Sequence, residues 1–191
     1  MENPRQPEHD VDQIFLDRWS PRAMSGENIT TEDLMKLFEA AKWAPSASNI
    51  QPWRFVYATK GSEHWDNFFN LLVEFNQMWC KNASVLVVIV SQTKGNDGND
   101  ALTNSFDAGA AWENFALQGS INGLVTHCMA GFDYKKAREV LNVPDDFKVE
   151  AMIAVGKPGE LEMIPERMRK QEVPNDRREL SETFFEGKFN L

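Results

Sequence analysis

Apolar residues recur at the three- and four-residue spacing of helices in five stretches, which are residues 11–17, 30–44, 62–79, 103–122 and 134–141. The stretch 30–44 has acidic residues in its first turn, and either Thr30 or Thr31 can serve as its N-cap. Ser62 is the predicted cap of the next stretch, whose wide aromatic stripe predicts one continuous helix. Asp133 is the predicted cap of the last stretch.

Four apolar runs predict strands between these helices. They are WRFVYATK from residue 53, SVLVVIVS from residue 84, GLVTHCMAG from residue 123 and VEAMIAVGKP from residue 149. The second run is continuously branched and apolar, which is typical of a strand buried on both faces. Helices and strands in this order predict an α+β or α/β domain of three layers.

The composition restricts the classes of partner. The chain has 191 residues, which is the size of one domain, and a formal net charge of −9. Because that charge repels phosphate backbones and anionic lipids, neither nucleic acid nor a membrane is expected as a partner. The longest aliphatic run, Val85 to Val90, is too short to span a bilayer.

The cysteines and histidines favour a reducing compartment and no metal centre. Cys80 and Cys128 lie in apolar stretches without a CxxC partner, which predicts reduced core residues in a cytoplasmic protein. The N-terminus has no apolar segment typical of a secretion signal. The three scattered histidines have no metal-ligand spacing, and His127, like Cys128, is expected to be a packed strand residue. The glycine patterns of Rossmann and P-loop nucleotide sites are missing as well.

Two polar segments carry candidate binding chemistry. The turn APSASNIQPW at 44–53 is typical of a surface loop, and its hydroxyls, amides and backbone N–H groups also suit a flat polar ligand. Arg18 and Arg22 flank Ser20 in RWSPR. Fork-shaped guanidinium groups bind phosphate well, although two arginines in a solvated loop are an equally ordinary arrangement.

Four motifs in chain order resemble the FMN-dependent nitroreductase family. They are RWSPR at 18–22, APSASNIQPW at 44–53, GLVTHCMAGFD at 123–133 with AVGKP at 154–158, and RREL at 177–180. The resemblance extends from about residue 14 to residue 185. It implies a single FMN-binding domain over residues 1–191, with a three-layer α/β/α fold and a central mixed, mainly antiparallel sheet. It also implies a homodimer that exchanges C-terminal arms, about residues 174–191, and holds its two flavin sites at the subunit interface.

The resemblance assigns the first motif to one end of the flavin. Arg18, Ser20 and Arg22 would contact the phosphate and the ribityl chain, and Arg18 would also lie near the pyrimidine edge. A positive charge there stabilises the anionic reduced flavin. Trp19 stands where some family members have a second basic residue, which changes the polar contacts of the ring or the wall of the pocket.

The resemblance places the polar turn along the flavin ring of the other subunit. Pro45, Ser46, Asn49 and the backbone of Ala47 would be its contacts. Gln51 is included among the cofactor-binding candidates, although its expected role is to orient the turn.

Two further groups of contacts follow from the resemblance. Ala130 and Gly131 would bring a backbone N–H to flavin N5, which accepts hydride, and glycine permits a close approach. The C-terminal arm would bring a basic residue to the phosphate, with Arg177 as the first choice and Arg178 as the second. No side chain is expected to act as a nucleophile, because the flavin performs the transfer.

The implied activity is that of an oxidoreductase. NAD(P)H would reduce FMN and leave, and a nitroaromatic, quinone or similar acceptor would then take the electrons in a ping-pong sequence. Three alternatives are a dehalogenase or dehydrogenase that acts on one metabolite, a flavin-binding protein without turnover, and a dimerisation module without flavin.

Overall fold

The computed structural model describes residues 4–95 and 97–189, which form seven α-helices and four strands. The helices are α1 (Ile14–Asp17), α2 (Thr31–Lys42), α3 (Trp65–Phe69), α4 (Glu74–Cys80), α5 (Asn104–Ile121), α6 (Tyr134–Val140) and α7 (Glu166–Arg169). The strands are β1 (Trp53–Thr59), β2 (Val85–Gln92), β3 (Val125–Met129) and β4 (Phe147–Gly156). Of the described helices, none is long and apolar enough to cross a membrane.

The four strands form one sheet in the order β1-β2-β4-β3. Each neighbouring pair is antiparallel, so the mainly antiparallel sheet is confirmed, and the described strands contain no parallel pair. The two central strands, β2 and β4, are hydrogen-bonded on both sides, whereas β1 and β3 are the edges. This order places β3 and the loop that follows it at one side of the sheet.

Helices cover both faces of the sheet, which confirms the three-layer arrangement. The odd-numbered side chains of β2 from Val85 to Ile89 pack against α2 and α5. The even-numbered ones from Leu86 to Val90 pack in the other layer, with α3, α4 and α6. Since successive side chains of a strand point to opposite faces, a strand that is apolar throughout requires cover on both sides.

Two predicted helix caps are present in the structure. The Thr30 hydroxyl oxygen accepts a hydrogen bond from the Asp33 N–H at 3.0 Å, so the N-cap of α2 is Thr30 and not Thr31. The Asp133 carboxylate accepts a hydrogen bond from the Lys136 N–H at 2.9 Å and caps α6 as predicted. Each bond satisfies one of the backbone donors that the first turn of a helix leaves without a partner.

The predicted continuous helix over 62–79 is wrong. The stretch forms two helices, α3 and α4, and the N-cap of α3 is His64 and not Ser62. An isolated β-bridge between Leu72 and Phe132 occupies the break. The apolar spacing of the stretch favours a helix locally, but this pairing with the loop after β3 interrupts it.

After β4 the chain returns across the N-terminal segment. The Gly159 N–H donates to the Ala23 carbonyl at 3.0 Å, and the Leu180 N–H donates to the Glu8 carboxylate at 2.7 Å. The apolar tail is expected to be docked, yet Phe184 is exposed on this single chain.

We expect the Thr30→Ala variant to lose about 1 kcal/mol of unfolding free energy, because the Asp33 N–H then has no capping acceptor. Thr31→Ala is the matched control, since Thr31 is exposed and lies one position inside the helix. Urea denaturation of both variants provides the comparison. Equal losses in the two variants would contradict the assignment of the cap to Thr30.

Candidate functional site

A cavity of about 550 Å³ beside β3 brings four arginines together, and we call it the arginine cavity. The arginines are Arg5, Arg18, Arg22 and Arg177. Trp19, Ser20, His127 and the odd-numbered residues Gln171, Val173 and Asn175 complete its lining. Among these described lining residues none is acidic, although the chain as a whole carries a net charge of −9. The volume lies within the usual range of small-molecule sites.

The RWSPR loop supplies two of these guanidinium groups. Arg18 donates from Nη1 to the Ser20 hydroxyl at 3.3 Å, and its Nε lies 3.7 Å from a carboxylate oxygen of Glu113 on α5. Arg22 Nη1 lies 3.6 Å from Glu172 Oε2. The loop therefore presents Arg18, Ser20 and Arg22 to the same cavity.

Arg5 connects the N-terminal segment to both sides of the cavity, and the sequence carries no signal for this role. Its Nη1 donates to the carbonyls of Leu16 at 2.9 Å and Arg18 at 2.8 Å, and its Nε donates to the Asn175 carbonyl at 2.8 Å. Burial lowers the pKa of Arg5, and the nearby charges of Arg177 and Arg18 lower it further.

The irregular segment that follows α7 lines the cavity with alternate residues. Gln171, Val173, Asn175 and Arg177 border it, while Glu172 and Pro174 between them are buried. Of the two neighbouring arginines, Arg177 therefore borders the cavity.

Arg178 is separated from the arginine cavity. It lines a neighbouring cavity of about 250 Å³, and its Nη1 lies 3.8 Å from the Glu182 carboxylate. Arg177 donates instead from Nη1 to the carbonyls of Asn175 at 3.2 Å and Asp176 at 3.0 Å. Of the two arginines that the sequence leaves as candidates, the geometry favours Arg177.

Trp19 is a shared wall. It lines the arginine cavity and also a second cavity of about 440 Å³. Glu172 is among the other residues that line this second cavity. The indole therefore stands between the two spaces. This placement agrees with a role in shaping the pocket wall, one of the two effects expected where a basic residue is replaced by tryptophan.

His127 is a half-buried, neutral member of the cavity. Its Nδ1 lies 3.0 Å from the Pro21 carbonyl oxygen, and its ring packs against Trp79 with 4.6 Å between the ring centroids. Burial lowers the pKa of His127 to about 4, and the charges of Arg22 and Arg18 act in the same direction. In its neutral form the ring donates Nδ1–H to the Pro21 carbonyl and holds the RWSPR loop against β3.

The polar turn lies outside the arginine cavity of its own chain. Pro45, Ser46, Ala47, Asn49 and Gln51 are all missing from the described lining of that cavity. All of them except the half-buried Ser46 are exposed. One chain therefore does not bring the turn and the arginines together.

The backbone of this turn is strained. Ser48, Asn49 and Gln51 have φ angles of 49°, 54° and 52°, in the left-handed region that favours glycine. Such residues cost about 1–3 kcal/mol each and cluster at functional sites. The strained conformation thus favours a functional role for the turn over that of an ordinary surface loop.

Asp107 on α5 holds the turn in this shape, and the sequence gives no motif for it. Its buried carboxylate accepts hydrogen bonds from the Ala47 N–H at 3.2 Å and the Thr103 hydroxyl at 3.1 Å. The Gln51 side chain donates to the Asn49 carbonyl at 3.1 Å, which fits its expected orienting role. The Ala47 N–H is thereby already engaged within its own chain.

The loop after β3 has its own support. The Gly131 carbonyl accepts from the Val73 N–H at 3.1 Å and from Asn76 Nδ2 at 3.0 Å. A Cβ on Gly131 would lie only 2.5 Å from Asn76 Nδ2, so packing against Asn76 already requires glycine here. Ala130 is exposed beside it, and neither residue lines the arginine cavity.

The chemistry of the site is that of anion binding. Guanidinium groups form charge-assisted, often bidentate hydrogen bonds with phosphate oxygens, and the cavity offers several without a lining acid. The thiols do not suit nucleophilic chemistry, since burial raises the pKa of Cys128 to about 11 and raises that of Cys80 further. The described residues include no cluster of histidine, cysteine and acidic side chains placed to hold a metal ion.

A family model and several known proteins are similar to this chain. The model described as "Nitroreductase family" matches residues 16–77 and 62–157. A Thermus thermophilus protein named NADH dehydrogenase is 28% identical over 183 residues, which are 81% of this chain and 89% of that protein.

Solved structures share the fold. A structure described as an oxidoreductase containing FMN superposes with a TM-score of 0.95 at 46% identity and covers 100% of this chain and 98% of its own. A structure described as an FMN-dependent nitroreductase from Clostridium difficile has a TM-score of 0.62 and 26% identity, and covers 75% of this chain and 84% of its own.

We expect acid to destabilise the protein through His127. The folded state keeps this ring neutral down to about pH 4, whereas in the unfolded chain it titrates near its ordinary pKa of 6.5. The unfolded state therefore binds the extra proton, and stability that is present above pH 6.5 is lost as the pH falls. This group should account for a loss of about 2 kcal/mol between pH 7 and pH 5.

Denaturation in phosphate-free buffer at both pH values measures this loss. His127→Asn should remove most of the pH-dependent difference, while His64→Asn, at an exposed position, should behave like the wild type. The same pH dependence in His127→Asn and the wild type would contradict the neutral state of His127 in the folded protein.

Proposed function

Because this chain belongs to the nitroreductase family, we propose that it is an FMN-dependent oxidoreductase that passes electrons from NAD(P)H to a nitroaromatic, quinone or similar acceptor. The observation that carries the proposal is the arginine cavity, which offers a concentrated positive charge in an acidic protein. Relatives named NADH dehydrogenase and an oxidoreductase containing FMN support the electron donor and the cofactor.

The residues of the cavity fit the phosphate end of FMN. A phosphate monoester carries about −1.5 to −2 charges near neutral pH, which matches a cavity with several guanidinium groups and no lining acid. Arg18, Arg22 and Arg177 would hold the phosphate, with the Ser20 hydroxyl beside them. Trp19 would form a wall next to the ribityl chain.

The ring end of the cofactor would lie toward the loop after β3. A strand advances about 3.3 Å per residue, so Met129 at the end of β3 lies roughly 7 Å beyond His127, and Ala130 and Gly131 follow it directly. A backbone N–H of Ala130 or Gly131 there would donate to flavin N5, with the loop held by Asn76. When bound, FMN supplies hydride acceptance and electron delivery, and the protein binds and orients it.

The polar turn would complete the site of a second chain. The turn is strained, exposed and separate from its own cavity, as a half-site contributed across an interface would be. Large apolar side chains of the same region are open to solvent, with Trp43 73%, Leu102 92% and Phe106 81% exposed. Such a surface favours burial against a copy of the chain. We therefore propose a homodimer with two shared sites.

The C-terminal arm, about residues 174–191, would cross to the partner subunit. Phe184 and Phe189 are exposed on the single chain, and burying such rings is favourable. Light scattering of the FMN-loaded protein tests the dimer, and a mass of one chain together with tight flavin binding would contradict the shared site. We also propose that the whole chain is a single domain and that it is cytoplasmic, in keeping with its two free cysteines.

We expect Arg177→Ala to weaken FMN binding about tenfold to a hundredfold, because a hydrogen bond to a charged group contributes roughly 1.5–3 kcal/mol. Arg178→Ala is the matched control and should stay within about threefold of the wild type, since Arg178 lies outside the cavity. Titration of apoprotein into FMN, followed by flavin fluorescence, gives both affinities. A larger effect at Arg178 than at Arg177 would reverse the assignment.

The proposed reaction predicts ping-pong kinetics. If both substrates occupy the same flavin face, they must bind in turn, and double-reciprocal plots at several acceptor concentrations should be parallel. NADH or NADPH oxidation in the presence of a quinone and of a nitroaromatic measures this. Intersecting lines would indicate a ternary complex. An absence of turnover with either acceptor would favour an enzyme that acts on one specific metabolite or a flavin-binding protein without turnover.

A further inference from the structure

We infer that Glu172 positions the arginines of the phosphate site, because it fastens the segment 171–177 to the RWSPR loop. The inference rests on the proposed flavin function. It concerns a residue that has no motif in the sequence and no contact with the expected cofactor.

Glu172 is buried at the junction of the two segments that supply the arginines. Its side chain is only 2% exposed. Oε1 accepts hydrogen bonds from the backbone N–H of Arg22 and from that of Ala23, the latter at 2.7 Å. Oε2 lies 3.6 Å from Arg22 Nη1 and, within the described part of the chain, has no hydrogen-bond partner.

A carboxylate in such a place is costly unless its partners are fixed. Removing a charged group from water carries a penalty of several kcal/mol, which close pairing and hydrogen bonds must offset. Here the two backbone donors and the guanidinium all belong to Arg22 and Ala23. Movement of the RWSPR loop away from Glu172 would leave Glu172 Oε1 and the N–H groups of Arg22 and Ala23 without hydrogen-bond partners, so the contact holds the loop in place.

The same contact sets the register of the segment 171–177. Glu172 is buried against Arg22 and Ala23, and the residues that line the cavity, Arg177 among them, lie on either side of it in the chain. A displacement of Glu172 would carry the following residues with it and move Arg177 relative to the RWSPR loop. Glu172 thereby fixes the position from which the segment presents Arg177.

The negative charge of Glu172 opposes phosphate binding, because it repels a phosphate in the cavity. Arg22 stands against the carboxylate and compensates its charge, and the guanidinium has five N–H donors, so most of them remain for the ligand. Positioning therefore depends on the reach of the side chain and its oxygen acceptor, whereas the charge itself contributes little. Two conservative variants separate these contributions.

Glu172→Asp keeps the charge but shortens the side chain by one methylene, and Glu172→Gln keeps the length and an oxygen acceptor but removes the charge. The measured quantity is the ratio of the dissociation constants for riboflavin and FMN, two ligands that differ only in the phosphate. We expect Glu172→Asp to lower this ratio at least tenfold. Glu172→Gln should keep it within threefold of the wild type, and both should bind riboflavin with wild-type affinity.

Glu166→Gln is the control for charge removal, since Glu166 is exposed on α7, and it should leave the ratio unchanged. A second measurement tests the register. Arg177→Ala should weaken FMN binding at least tenfold in the wild type but less than threefold in the Glu172→Asp background. Contacts that depend on one another show this kind of non-additivity.

Three results would overturn the inference. One is an unchanged ratio of dissociation constants in Glu172→Asp. Another is a ratio that falls in Glu172→Gln but stays at the wild-type value in Glu172→Asp, which would assign the effect to charge. The third is an equal loss of riboflavin and FMN affinity, which would indicate a general structural role. A wild-type protein that binds neither flavin would instead overturn the proposed function, so the two failures are distinguishable.

Discussion

Four guanidinium groups around one cavity repel one another, and the local structure is organised to hold them there. For illustration, two like unit charges about 8 Å apart repel each other by about 2 kcal/mol at an effective dielectric constant of about 20. A cluster of arginines is therefore costly without partners. Hydrogen bonds and an ion pair hold the guanidinium groups in place. Three backbone carbonyls hold Arg5, Glu172 holds Arg22, and two carbonyls hold Arg177. A bound phosphate would relieve the remaining repulsion.

The scaffold separates the charged end of the site from its strained end. The arginines lie beside β3 at one edge of the sheet, while the polar turn connects α2 to β1 at the other. Within one chain these parts do not meet. The proposed dimer would resolve the separation, because each turn would then face the cavity of the partner subunit. Buried acids support each part, Glu172 at the arginines and Asp107 at the turn.

The sequence predicts what local periodicity and capping control. The helix capped by Thr30, the buried strand β2 and the helix capped by Asp133 all follow from spacing and composition. It fails where distant segments pair, as at Leu72 and Phe132, because that contact interrupts a helical stripe without leaving a local signal.

The same limit applies to the site. Motifs identify Arg18, Ser20 and Arg22, but Arg5 and Glu172 act through backbone groups far away in the chain and belong to no motif. The choice between Arg177 and Arg178 depends on the path of an irregular segment, which has no periodic pattern that the sequence could reveal.

The most direct test of the account is the identity and amount of flavin in the protein purified from cells supplied with riboflavin. Heat-released flavin can be identified by chromatography and counted against the protein concentration. We expect FMN at one per chain, because the cavity offers a site for a terminal phosphate. Purification with FAD, or without flavin even after FMN is added, would contradict it.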